Sequence, residues 1–366
     1  MLQSSLPPSS RAGGVGYQVH LLATAMARSG DDVTVFVADD PPSGTLYRCV
    51  GVALGTGRGR RVLGVGWRFA QLDLSGFDVV HAHGDDWLFG RRKRVRTFYG
   101  SALMEARTAT SALRKVAQMS YYALEWVSSV NPASVSISEN TRRYLPLIRS
   151  SVPCGYDPEI FFPGGERTQE PSILFVAGTL AGRKRGDLLL TAFQNVRRAF
   201  PTAQLTIVSH DHVTQPGVNC LSNLGAGPLG DLYRSHWLLC STSSYEGFGV
   251  PYVEALASGL PIVSTRNGGA EEVLQGGGLG VLCSPEALAS EIVTLLRDRN
   301  SRDRFTAVGL GAAEQYSIDV VADRYRRMYQ RLANALPSGA SEELDCTTPE
   351  RASNQPSTSQ GKGATA

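Results

Sequence analysis

The strongest constraint on the fold is a repeated alternation of short apolar, β-branched runs with longer helical stretches. The expected strands cover 33–38, 77–83, 95–100 and 134–138 in the first half, and 172–178, 203–209, 237–242 and 260–265 in the second. Such alternation is typical of parallel sheets covered by helices. A chain of 366 residues also exceeds the size that one hydrophobic core usually supports. The sequence therefore predicts the α/β fold class, with two doubly wound, Rossmann-like parallel sheets.

Helices are expected between these runs, and proline and glycine mark the boundary between two domains. The helical stretches cover 15–29, 102–129, 187–199, 250–258, 286–298 and 301–314. Prolines and glycines cluster near 150–168, which separates an N-terminal domain at 1–155 from a C-terminal domain at 165–315. The tail at 337–366 is rich in Ser, Thr, Pro, Gln and Gly without apolar periodicity, and we expect it to be disordered.

The start of the chain departs from the pattern of a doubly wound domain. Such a domain opens with a central strand that leads into a glycine-rich turn, and strands average about 5–6 residues. Only Met1 and Leu2 precede a Ser/Pro loop that leads to the glycines. The pattern predicts that the first strand of the N-terminal sheet is missing. Either the start was assigned too far downstream, which we favour, or the domain is built without that strand.

Composition excludes several classes of protein. The net charge of +3 is too small to indicate a nucleic-acid partner. The six cysteines are scattered without the spacing of a metal site, so reduced thiols in a cytoplasm are expected. The sequence contains no signal peptide pattern and no apolar run of membrane-spanning length.

The segment 241–259, STSSYEGFGVPYVEALASG, carries the clearest chemical signal. Pro251 suits the first helical position, because its φ is preset and its missing N–H would be unpaired there anyway. Glu246 lies just before this helix, and Glu254 lies one turn inside it. Gly247 and Gly249 leave backbone N–H groups open to a ligand. Because a helix N-terminus favours anions, the segment suits a ligand that carries a phosphate beside several hydroxyls.

This segment resembles the retaining glycosyltransferases of family 4, which have the two-domain GT-B fold. Glu246 and Glu254, with seven residues between them, match the E-x7-E motif of that family. Further resemblance lies in the segments 13–40, 152–164, 173–193 and 261–274. The resemblance implies a hexosyl or related transferase that uses a nucleotide-diphosphate sugar and retains the anomeric configuration. It also implies that a final helix near 319–335 packs back on the N-terminal domain.

The resemblance assigns the donor to the C-terminal half. It implies that Glu254 binds the ribose hydroxyls and that Glu246 binds the sugar hydroxyls. Arg183 and Lys184 precede a helix start, where cations are mildly unfavourable, so a diphosphate leaving group explains their position. The family's Arg position holds Thr179 here, and Arg183 is the substitute. The implied catalytic residues are Glu246, Arg183 and Lys184, and the implied donor-binding residues are Glu254, Gly247, Phe248, Gly249, Val250, Gly268 and Gly269. For Gly268 and Gly269 a simple turn without a ligand is an equal alternative.

The acceptor is expected on the N-terminal side of the cleft. Gly13 and Gly14 open a helix, and by resemblance they line the cleft. Tyr99 occupies a turn where many family members carry His, which puts that His role in doubt because a phenol is a poor base. His81 and His83 share one face of a strand end, where a metal pair is conceivable but, without a third ligand, a structural role is expected for both. His83 is included among the cleft residues.

Two points on partners and two alternative functions stay open at this stage. The basic residues at 91–96, with Arg58, Arg60 and Arg61, form either a solvated face or a contact to a phosphate-bearing or lipid acceptor. The acceptor is a glycan, a lipid-linked molecule or a small molecule, and no nucleic acid, metal or cofactor is expected. We expect a cytoplasmic enzyme, with peripheral contact to the inner face of a membrane left open. The alternatives are a GT-B sugar-nucleotide epimerase and an inactive sugar-nucleotide-binding homologue.

Overall fold

The computed structural model describes residues 1–7, 13–52, 58–84, 94–109 and 111–334. Within these residues the chain forms two parallel sheets, one of seven strands and one of six. The predicted α/β class with two doubly wound sheets is confirmed. In the described part of the chain no helix is long and apolar enough to cross a membrane.

The first sheet has the strand order β3-β2-β1-β4-β5-β6-β7. Its strands are β1 (Leu2–Gln3), β2 (Thr34–Val37), β3 (Arg48–Gly51), β4 (Val80–Ala82), β5 (Arg94–Phe98), β6 (Ser134–Ser136) and β7 (Ser150–Ser151). Its helices are α1 (Gly13–Arg28), α2 (Arg58–Ala70), α3 (Ala102–Thr108), α4 (Ala112–Ser129) and α5 (Glu139–Arg142). The strand order reverses between β1 and β4, and ligands of doubly wound sheets bind beyond the strand ends at such a point.

The prediction that the first strand is missing was wrong. β1 occupies the centre of the sheet, where Leu2 pairs with Phe36 on one side and with Ala82 on the other. The Leu2 carbonyl accepts the N–H of His83 at 3.1 Å, and the Leu2 side chain is fully buried. Two residues are too few to create an apolar pattern, but they suffice to pair with both neighbours.

The second sheet has the strand order β10-β9-β8-β11-β12-β13. Its strands are β8 (Ser172–Val176), β9 (Gln204–Val208), β10 (Val218–Leu221), β11 (Leu238–Ser241), β12 (Ile262–Thr265) and β13 (Val281–Cys283). The helices that follow are α6 (Gly186–Ala199), α7 (Ala226–Ser235), α8 (Val250–Ala257), α9 (Gly268–Val273), α10 (Leu288–Arg297), α11 (Arg299–Ala313) and α12 (Ile318–Asn334). Here the order reverses between β8 and β11, so the loops after these two strands meet at one edge.

All eight predicted strands exist, each somewhat shorter than expected. The pattern missed short strands that lie at or near sheet edges, such as β7 and β10, because partly exposed strands carry few apolar residues. The helix expected over 102–129 is interrupted, and α3 and α4 form instead.

The last helix returns to the first sheet. Val321, Tyr325 and Met328 of α12 are buried in one core cluster with Leu22 and Met26 of α1. The domain limits 1–155 and 165–315 stay a prediction, and the disordered tail predicted at 337–366 lies outside the described residues.

Candidate active site

The turn between β11 and α8 holds the two glutamates in different environments. Gly249 precedes α8 with a φ of +100°, a conformation that favours glycine. A Cβ atom at Gly249 would lie 2.3 Å from the ring of Tyr252, so no side chain fits there. Pro251 lies in the first turn of α8, as its residue type predicted. The turn thereby fixes Glu246 before the helix and Glu254 inside it.

Glu246 is buried and forms ion pairs with both predicted cations. Its Oε2 atom lies 2.8 Å from Arg183 Nη1, and its Oε1 atom lies 2.5 Å from Lys184 Nζ. Burial alone would raise the pKa of Glu246, but the charges of Lys184 and Arg183 outweigh burial and hold the pKa below its usual value. The structure therefore brings the three predicted catalytic residues into one cluster with an ionised carboxylate.

Hydrogen bonds hold the loop that carries these cations against a strand end of the second sheet. Thr242 Oγ1 donates to the carbonyl of Lys184 at 2.6 Å, and Arg185 Nε donates to the carbonyl of Thr242 at 2.7 Å. Arg185 thus stabilises the loop, whereas Arg183 and Lys184, the two residues before it, face Glu246. Thr179, which stands where the family has Arg, donates to Asp211 at 2.7 Å.

Glu254 lies one turn into α8 and is also buried. The Tyr233 hydroxyl donates to its Oε2 atom at 2.7 Å. Burial raises the pKa of Glu254 to about 7, although the hydrogen bond from Tyr233 acts in the opposite direction. No ion pair with Glu254 occurs among the described residues, so this carboxylate differs electrostatically from Glu246.

The remaining donor-binding candidates lie around the same turn. Phe248 is buried with its ring against Tyr316, and Val250 begins α8 half-buried. At Gly247 a Cβ atom would lie 2.7 Å from the carbonyl of Tyr99. Gly247 therefore allows the second half of the chain to approach the first closely.

Gly268 and Gly269 lie at a contact between the two halves. Gly268 packs against Asn140, whose Oδ1 atom would be 2.0 Å from a Cβ there, and Gly269 packs against the carbonyl of Phe248. Nearby, the Glu272 carboxylate accepts the N–H groups of Glu139 and Asn140, both at 2.9 Å. The structure gives this glycine pair a packing role, and neither glycine has a left-handed φ.

Gly13 and Gly14 begin α1 on the N-terminal side of the cleft. Both are exposed, and a Cβ on either would meet no atom within 4 Å. Gly13 has a φ of +53°. The open space and the helix start agree with a place where a ligand approaches the backbone.

His83 and Tyr99 are neighbours in a buried polar network. His83 Nδ1 and the Tyr99 hydroxyl are 2.9 Å apart. Burial lowers the pKa of His83 well below its ordinary value and raises the pKa of Tyr99 well above it, so both are neutral near pH 7. The ring nitrogens of His81 contact the hydroxyls of Tyr329 and Thr97 at 2.5 and 2.8 Å, which gives His81 the expected structural role.

A pocket of about 350 Å³ lies beside this network at the carboxyl end of the first sheet. Val15, His83, Tyr99 and Ser101 line it, together with two glutamates that the sequence analysis did not single out, Glu105 and Glu125. Burial raises the pKa of Glu125 to about 7, and its two oxygens accept the N–H of Ala102. Glu105 and Glu125 lie on helices that carry no motif, so only the fold could reveal them.

The described residues include no group of three or more His, Cys, Asp or Glu side chains that could hold a metal ion. The basic residues at 91–93 lie outside the described part of the chain, as do the side chains of Arg58, Arg60 and Arg61.

Comparisons with known proteins agree with this geometry. A family described as glycosyltransferase family 4 matches residues 12–159, and one described as glycosyl transferases group 1 matches residues 157–309. The phosphatidyl-myo-inositol mannosyltransferase of Mycobacterium leprae is 25% identical, over 71% of this chain and 75% of that protein. Sucrose-phosphate synthase of Thermosynechococcus elongatus superposes with a TM-score of 0.73 at 18% identity, over 87% of this chain and 94% of that one. Anabaena HepE in complex with UDP-glucose superposes with a TM-score of 0.67 at 15% identity, over 90% and 98% of the two chains.

Two Rossmann-like parallel sheets, with a carboxylate–cation cluster where their strand ends meet, define a GT-B glycosyltransferase. The two family matches together span residues 12–309. The chain belongs to the family 4, or group 1, glycosyltransferases, a retaining family that uses nucleotide-sugar donors.

Proposed function

We propose that this enzyme moves a sugar from a nucleoside-diphosphate sugar to a hydroxyl acceptor with retention of configuration and without a metal ion. The observation that carries the proposal is the contact of Glu246 with both Arg183 and Lys184, at 2.8 and 2.5 Å. These cations would bind the diphosphate, and the carboxylate beside them would accept hydrogen bonds from the sugar hydroxyls. Preorganised charges of this kind supply the largest catalytic effect in many enzymes.

Glu254 would bind the ribose hydroxyls. Its raised pKa, about 7, leaves it partly protonated near neutral pH. Hydroxyl donors favour the ionised form of a carboxylate, so nucleotide binding would lower its pKa. N–H groups at Gly249 and Val250 would contribute further donors to the diphosphate.

The acceptor would enter from the pocket beside Gly13, Gly14, His83 and Tyr99. Its hydroxyl oxygen would bond to the anomeric carbon on the face that the diphosphate leaves. The carbon–oxygen bond to the diphosphate breaks in the same step, and the hydroxyl proton passes to the departing phosphate oxygen. The neutral His83 and Tyr99 suit hydrogen bonding to uncharged hydroxyls rather than proton removal.

The enzyme would work in the cytoplasm and contact a membrane peripherally. Helix α4 supports this contact, since Leu113, Val116 and Val127 are 81%, 65% and 68% exposed beside the basic residues Arg114 and Lys115. Its other face reaches the pocket through Glu125. We propose an anionic lipid surface as the membrane partner, because the exposed part of α4 carries both apolar side chains and positive charge.

Calorimetry on two variants tests the division of roles, after a thermal-shift screen of UDP-, GDP-, ADP- and dTDP-sugars identifies the donor. A true donor at a hundredfold excess over its Kd should stabilise the protein by about 2.7 kcal/mol. Glu254→Gln should weaken binding of the free nucleoside diphosphate and of the nucleotide sugar alike, whereas Glu246→Gln should spare the free nucleotide. Equal losses for both ligands in both variants would contradict the assignment.

A further inference from the structure

Glu105 connects the pocket to the cation cluster. It lies on α3, lines the pocket of the first sheet, and places its Oε1 atom 3.5 Å from Arg183 Nε. On the other side of the Arg183 guanidinium, Nη1 donates to Glu246 at 2.8 Å. Arg183 therefore lies between two carboxylates, one from each half of the chain.

Both cations of the loop are paired with carboxylates. Arg183 contacts Glu246 and Glu105, and Lys184 contacts Glu246. Glu105 also contacts the exposed Arg114. A diphosphate carries at least two negative charges and forms strong, often bidentate, contacts with a guanidinium. It would compete directly with both carboxylates, and Glu105 is the weaker competitor because its contact is longer and about a third of its side chain is exposed.

We propose that the donor diphosphate displaces Glu105 from Arg183 and that the freed carboxylate then serves the acceptor. This inference rests on the proposed function. Once released from Arg183, Glu105 can turn into the pocket and accept a hydrogen bond from an acceptor hydroxyl. Donor binding would thereby complete the acceptor site, and by linkage an acceptor would favour donor binding to the same extent.

The neighbouring carboxylate cannot fill this role as readily. Both oxygens of Glu125 already accept the N–H of Ala102, at 3.2 and 3.0 Å, and so cap the start of α3. The other partner of Glu105 is Arg114, at 3.6 Å with 62% of its side chain exposed. An exposed pair of this kind is weak, and it leaves Glu105 free to exchange.

Calorimetry with nucleoside diphosphates tests the exchange without knowledge of the acceptor. UDP, GDP, ADP and dTDP are first titrated into the wild type, and the one with the lowest Kd is then used as the probe for the variants. Glu105→Gln preserves size but removes the competing charge, so it should tighten the Kd by about fivefold or more, the lower end of usual coupling. The control Arg114→Ala removes the exposed partner and should change the Kd by less than about twofold. An unchanged or weaker Kd in Glu105→Gln overturns the proposal.

A structure of the wild-type complex gives a second, independent readout. With the diphosphate bound, the Glu105 and Arg183 side chains should lie beyond ion-pair distance, with the carboxylate turned into the pocket. Persistence of the ion pair beside bound nucleotide would overturn the exchange. If no nucleoside diphosphate binds the wild type, the proposed function itself fails. If one binds and the ion pair persists, only the exchange fails.

Discussion

Single residues decide the electrostatics of this site, and the two glutamates of the motif illustrate how. Glu246 and Glu254 are both buried, yet the pKa of Glu246 lies below its usual value and the pKa of Glu254 is raised to about 7. The difference follows from Lys184 and Arg183, which contact Glu246 and not Glu254. Spacing in the sequence placed both carboxylates around one turn, but their charge states depend on burial and on side chains from other elements.

Loss of Lys184 should act mainly on the transition state. In the proposed function its ammonium would face the leaving diphosphate, so Lys184→Ala should lower kcat by roughly 10²–10³, the effect of removing one preorganised donor. Steady-state kinetics measure this effect, and Arg299→Ala, which removes an exposed cation on α11, is the control. A decrease smaller than about fivefold, with the fold intact, would refute the role of Lys184.

Glu254 should make the stability of the protein depend on pH. Its pKa is raised from 4.5 to about 7 in the folded state, so its stabilising contribution is present below the lower value and is lost as pH rises through the upper one. The free energy of unfolding of Glu254→Gln, compared with that of the wild type, should therefore increase as the pH rises from about 5 to about 8. Urea unfolding at both pH values measures the change.

Glu246→Gln is the control variant, because the pH dependence of its effect on stability should have the opposite sign. The folded pKa of Glu246 lies below its usual value, so its contribution is present at higher pH and is lost as pH falls through the depressed pKa. Glu246→Gln should then be about equally destabilising at about pH 6 and about pH 8, and less destabilising as the pH falls below the ordinary value of 4.5. The same pH trend in both variants would contradict the assigned charge states.

At the scale of elements, helix ends and turns build the site. The loop before α6 and the turn before α8 follow the two strands between which the order of the second sheet reverses, and α3, which follows β5 of the first sheet, meets them there. Arg183, Glu246 and Glu105 come from these three elements. This explains why the candidate residues are far apart in the sequence but share one cluster.

Helix α4 should bind vesicles that contain phosphatidylglycerol. Leu113 and Val116 are exposed on one face next to Arg114 and Lys115, so both apolar insertion and charge favour an anionic surface. Leu113→Asp should reduce co-sedimentation with such vesicles by about tenfold. Val308→Asp, at an exposed apolar position on α11, should have no effect, and equal losses for both variants would argue against α4 as the contact.

At the scale of the whole molecule, the two halves contact each other through the site. Ser138 donates to the Gly247 carbonyl at 2.5 Å, and Glu272 caps the start of α5. Glycines at 247 and 268 make this approach possible, because a Cβ would collide with the opposite half. The packing explains glycines that the sequence alone suggested as ligand-binding.

Activity should survive removal of divalent cations. In the proposed function Arg183 and Lys184 would supply two positive charges for the diphosphate, and the described residues offer no cluster of acidic, His and Cys side chains as metal ligands. A transfer assay with and without EDTA measures this independence. Abolition by EDTA and recovery with Mg²⁺ or Mn²⁺ would show that the cations alone do not suffice.

The sequence by itself determined the local features of this protein. Apolar periodicity predicted eight strands and the two-sheet class, and the spacing of Glu246 and Glu254 around a Gly-Phe-Gly turn predicted the site. These properties depend on residues close together in the chain, where periodicity and turn chemistry act. The same reasoning failed at Leu2–Gln3, a strand too short to leave a pattern.

Only the tertiary structure decided which distant groups meet. Leu2 forms a strand because Phe36 and Ala82 supply partners on both sides, not because of its own neighbours in the chain. Glu105 contacts Arg183 although the two residues lie in different halves of the chain, and no local pattern encodes that contact. Burial and charge set the pKa values of Glu246 and Glu254, and both arise only when residues from separate elements pack around these carboxylates.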